Sequence, residues 1–151
     1  MTLKHRLDKL EAPTVKRWRE AWQVYTVYLY KHLDPILDPL KAAATEAEGQ
    51  GLFSDEAALN ASCEAFCERI GVPSPFALSV WEARAELPDP DAPPDLSRWP
   101  SNLPEPPPEP SDVREKLEPY RDSPDTHERF TALLYLFFLS HARARREYLA
   151  S

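Results

Sequence analysis

The chain has 151 residues, 42% hydrophobic and 11% aromatic, with a net charge of −7. That is one domain's length with enough apolar side chain for a core, which excludes general disorder. Its three glycines (Gly49, Gly51 and Gly71) leave little room for glycine-dependent hairpins or a phosphate-cradling loop, and two cysteines make no disulfide framework.

Charge is unevenly spread. Residues 1–33 carry +4, residues 34–140 carry −13 and residues 141–151 carry +2. Basic ends therefore flank an acidic middle. Residues 1–13 hold no apolar stretch of the secretory type, and the longest apolar run, Ala132 to Leu139, is far short of the ~20 residues that span a bilayer. The expectation is a cytoplasmic protein with no membrane contact.

In chain order, Thr2 to Glu11 predicts a short amphipathic helix with Leu3, Leu7 and Leu10 on one face, ended by Pro13. Thr14 opens a second helix to about Leu33. Val15, Trp18, Trp22, Tyr25, Leu29 and Leu33 share one stripe, which Ala21, Val24 and Tyr28 widen. Val27 and Tyr30 fall on the opposite side. The twice-repeated Asp-Pro of residues 34–39 predicts a sharp turn at Asp34, then a helix from Asp38 to Glu48 capped by Gly49. Ser54 and Asp55 start a helix closed by Gly71, and Ser74-Pro75 start another ending near Leu87.

Ten of the 17 prolines lie between Pro88 and Pro110, where no long helix or central strand can run. Leu96, Trp99 and Leu103 give this stretch apolar anchors, so it reads as a strap pinned to the bundle, with residues 105–110 as an alternative polyproline docking peptide. Beyond it, Ser111 caps a short helix from Asp112 to about Tyr120, and a final helix runs from Asp125 to Leu149. From Ala132 to Leu139 that helix is apolar all round. It is either the central helix of a bundle or packed against another chain.

The fold expected is a single all-α helical-bundle domain, residues 1–151, of five to seven helices. It divides into a body (1–87), a Pro-rich surface strap (88–110) and C-terminal helices packing back on the body (111–151).

No catalytic, metal or cofactor constellation stands out. Cys63 on a core stripe and Cys67 at its edge are four apart, and zinc needs about four ligands. The histidines (His5, His32, His127 and His141) are scattered, and capping explains Asp34 and Asp38 beside His32. Three function classes follow. The first is a non-catalytic interaction module with a protein partner or a homo-oligomeric contact through Val27, Tyr30, Leu136 and Phe138. The second is a nucleic-acid-associated protein using Lys16, Arg17, Arg19, Arg143, Arg145 and Arg146, or the pair of helices at 55–86. In that pair, Ile70-Gly71-Val72 followed by Ser74, Ala77, Val80 and Trp81 resembles a helix-turn-helix, which implies a second helix in the major groove. That helix offers Ser74, Ser79, Glu82, Arg84 and Glu86, an acidic set that phosphates repel. The third is a small-ligand-binding bundle with a pocket among Trp18, Trp22 and His141.

Overall fold

A computed structural model describes residues 3–75, 106 and 108–151, with side chains from residue 19 onward. The described residues are all-α: α1 (Leu3–Gly49), α2 (Glu56–Ile70), α3 (Val113–Leu117), a 3-10 turn (Glu118–Asp122) and α4 (Thr126–Ala150). The helix expected over 74–87, the anchors Leu96, Trp99 and Leu103, and most of the strap lie outside them.

The largest departure from expectation is α1. Three expected helices are one, 47 residues and about 70 Å long. It neither breaks at Pro13 nor turns at Asp34. An interior proline costs a helix about 3 kcal/mol, so something must outweigh it. Around Pro35 and Pro39 that something is packing. Leu29, Leu33, Ile36, Leu40, Ala43 and Ala47 keep a three-four spacing straight through both prolines, and all but half-buried Leu40 are inaccessible or nearly so. Both rings point to solvent. Pro39 has no N–H for the carbonyl of Pro35 four residues back, and Arg121 Nη2 donates to that carbonyl instead, at 3.0 Å.

α1 ends one residue later than expected, and its closing glycine comes two residues later. Gly49 is still helical, and Gly51 is the left-handed residue, at φ 75°. Its N–H reaches the carbonyl of Glu48 and that of Leu52 reaches Ala47, a Schellman arrangement. Gly71, at φ 79°, closes α2 in the same way through Glu68 and Cys67. Asp55 caps the start of α2, accepting from the Ala58 amide at 3.1 Å. Asp125 does the same for α4, accepting from the Glu128 amide at 2.9 Å. Asp112, rather than Ser111, stands at the cap position of α3.

α4 is the central helix. Phe130, Leu133, Leu136 and Leu139, and also Ala132, Tyr135 and Ala142, are all inaccessible or nearly so. It lies antiparallel to α1: Thr126 and Arg129 meet Glu46 at one end, and Tyr148 stacks edge-on against Tyr25 at the other. α2 and α3 complete the core through Phe66, Cys67, Val113 and Leu117. By this register the N-terminal turns of α1 continue past the level of Leu149. Among the described residues, no helix is long and apolar enough to cross a membrane.

Candidate functional site

The four residues expected to make one partner surface do not come together. Val27 and Tyr30 are on the outward side of α1, 70% and 49% exposed. Leu136 is a core residue at 1% exposure, and Phe138 is half-buried on another side of α4. In their place stands a shorter stripe confined to α1, Val24, Val27 and Tyr30, one helical step of three apart. Val24, expected to widen the core stripe, is 50% exposed. The contact with α4 runs through Tyr25, Leu29 and Leu33 with Trp22 and Tyr28 at its edges, and Val24 falls outside it. Arg19, Glu20, Lys31 and Asp34 frame the stripe, all exposed.

The arginines of α4 are used internally. Arg145 is 1% exposed and bonds the Tyr25 phenol, whose pKa burial raises and that guanidinium partly restores. Arg143 Nη2 donates to Glu109 at 2.7 Å, and Arg114 Nε grips the same carboxylate with bonds of 3.0 and 3.1 Å. Burial lowers the Arg114 pKa, against the pull of Glu109. Arg146 is half-buried, leaving Arg19 as the exposed member of the described set. Lys16 and Arg17 lie on α1, where the side chains are not described. No basic face forms from Arg143, Arg145 and Arg146. Of the helix-turn-helix-like pair, α2 and its Gly71 turn are described and the second helix is not.

Other polar groups have structural partners. His32 Nε2 meets Glu147 at 3.0 Å and Lys31 Nζ meets it at 3.4 Å, tying α1 to α4. The His32 hydrogen bond holds the Glu147 carboxyl below its usual range. Among the described residues no three His, Cys, Asp or Glu side chains are placed to hold a metal ion. His141 is buried, with Phe137 edge-on at 4.5 Å. Trp22 and Tyr25 pack with Tyr148, their ring centroids 6.4 Å apart and Tyr25 to Tyr148 at 5.0 Å. The Trp18 side chain lies outside the described ones.

A cavity of about 240 Å³ opens elsewhere, between α2 and α4. Leu134, Tyr135, Phe138 and Pro75 make its apolar wall, and Asn60, Cys63 and Thr131 its polar edge. The Tyr135 hydroxyl turns away from it to donate to the carbonyl of Pro73 at 2.5 Å. Cys63 Sγ lies 3.4 Å from the Thr131 hydroxyl. Burial pushes the Cys63 thiol up and that of Cys67 up to about 11, so neither is an activated nucleophile. Nothing in the sequence pointed here, since the lining comes from residues 70 apart that share no local pattern. Comparison with protein-family models, curated proteins and solved structures found no match to this chain.

Proposed function

We propose that this protein is a non-catalytic interaction module that binds a second copy of itself through the outer face of α1. The observation that carries the reading is the stripe Val24, Val27 and Tyr30, exposed on a helix whose opposite side is sealed against α4. Three apolar side chains are a small patch, which places the contact in the transient class.

Charge around the stripe favours a second copy as the occupant. When two such faces meet antiparallel about Val27, each Val24 comes opposite Tyr30. Glu20 then faces Asp34 of the second copy, and the pairs Lys31 with Glu20 and Arg19 with Asp34, each within a turn of register, offset that like-charge contact. Each pair occurs twice because the contact is two-fold. Exposed ion pairs are worth about 0.2–1 kcal/mol each, so they set register more than affinity.

Sedimentation at increasing protein concentration tests this. The expected result is reversible self-association that weakens with salt. Val27→Lys abolishes it, Arg19→Asp weakens it, and Arg19→Asp with Asp34→Arg restores it. A monomer at every concentration, or a double reversal no better than the single one, overturns the reading.

A further inference from the structure

We propose that the cavity between α2 and α4 is a binding site for a neutral bicyclic aromatic molecule bearing one polar group, of the size of indole or naphthol. Size comes first. A closed apolar cavity of about 150 Å³ takes benzene, so about 240 Å³ suits a fused two-ring system. Chemistry comes next. Leu134, Phe138 and the Tyr135 ring offer flat apolar contact, and aromatic rings prefer the offset and edge-on arrangements such walls give.

Among the described residues, none that lines the cavity is charged. A charged ligand entering it would lose its hydration without a counter-ion. Ligand pockets of this type combine an apolar wall with a few convergent polar groups. Here the Thr131 hydroxyl is already engaged with Cys63, whereas Asn60 is exposed at the mouth with an amide that both donates and accepts. Asn60 is therefore the partner for the ligand's hydroxyl or N–H. Cys63 is half-buried on the same wall and reports occupancy, because a seated ligand blocks its alkylation.

The experiment is a titration of the full chain with 2-naphthol, naphthalene and naphthalene-2-sulfonate, read by the rate of Cys63 alkylation with iodoacetamide and by thermal unfolding. Naphthol is expected to protect Cys63 saturably, slowing alkylation about tenfold at ten times its Kd, and to raise the melting temperature. Naphthalene binds more weakly and the sulfonate at least about tenfold more weakly, a difference of about 1.4 kcal/mol. Asn60→Leu erases the preference for naphthol over naphthalene while leaving the exposed helix surface folded. Cys63→Phe fills the space and abolishes binding in the melting assay. Because burial raises the Cys63 thiol, alkylation is run in alkaline buffer, where the thiolate forms. Two results overturn the proposal: naphthol that shifts neither the melting temperature nor the alkylation rate saturably, or naphthol preference unchanged in Asn60→Leu.

Discussion

Single side chains in this protein carry tasks that their residue type alone does not announce. Tyr135 has a buried ring and a hydroxyl that reaches the carbonyl of Pro73, joining the end of α2 to the central helix. Tyr135→Phe keeps the ring and removes the bond, and is expected to cost about 1 kcal/mol in urea unfolding. Cys67 gives a pH signature. A thiol in the unfolded chain releases its proton near 9.0, and the folded one holds it to about 11. The unfolded state therefore binds fewer protons across that window, so stability is full below pH 9 and falls as pH rises toward 11. Urea midpoints between pH 8 and 11 are expected to decline, and Cys67→Val to flatten the decline; burial of the Tyr135 phenol adds to the same alkaline slope. The structure buries Cys67 in the core and leaves Cys63 half-buried beside the cavity, the reverse of the periodicity, which puts Cys63 on the core stripe and Cys67 at its edge. The sequence holds no sign that Arg145 is buried, because the Tyr25 phenol that receives it is 120 residues away.

At the level of elements, capping chemistry was legible at Asp55, Gly71 and Asp125 but not at Gly49 or Ser111, and proline was misleading. Asp55, Gly71 and Asp125 act where local rules put them, since a cap is a contract between neighbours in sequence. Pro35 and Pro39 mark a break by the local rule, which knows nothing of α4. At Pro35 and Pro39 the apolar seam with α4 outweighs the local cost, and Arg121 replaces one lost backbone bond. A double-mutant cycle tests that replacement. Arg121→Ala alone is expected to cost about 1 kcal/mol. In Pro39→Ala the helix regains its own donor to Pro35, so the same change costs less, with a coupling of about 0.5 kcal/mol or more. Equal costs in the two backgrounds would mean that Arg121 does no such duty. Glu109 joins two arginines from separate helices, and no spacing rule points to it.

For the whole molecule, the all-α class followed from composition and periodicity, while the candidate site did not. Core positions repeat along a helix and so leave a trace; a cavity shared by Cys63 and Phe138 leaves none. The fold rests on α4, and Leu136→Ala is expected to cost about 2–5 kcal/mol, enough to unfold a marginal domain, measured by thermal or urea unfolding. Because Leu136 is in the core, that loss is expected of the monomer as well as of any assembly, whereas Val27→Lys leaves the fold intact. Acid loosens the opposite end. The Glu147 carboxyl is held below its ordinary range by His32, so its contribution is present above that range and lost as pH falls through the folded value. Glu147→Gln is expected to shallow the fall in urea midpoint between pH 6 and 3. The effect is small, since the pair is partly open to solvent.

The antiparallel marriage of α1 with α4 also sets an order of events during synthesis. The apolar seam of residues 25–47 is complete long before residues 126–150 exist to cover it. Until the ribosome has made them, the segment bearing Tyr25, Leu29, Leu33 and Ile36 lacks the packing that carries the helix through Pro35 and Pro39, and closing the pair means joining the ends of a loop of about a hundred residues. A nascent chain of this protein therefore exposes that seam until α4 has been made.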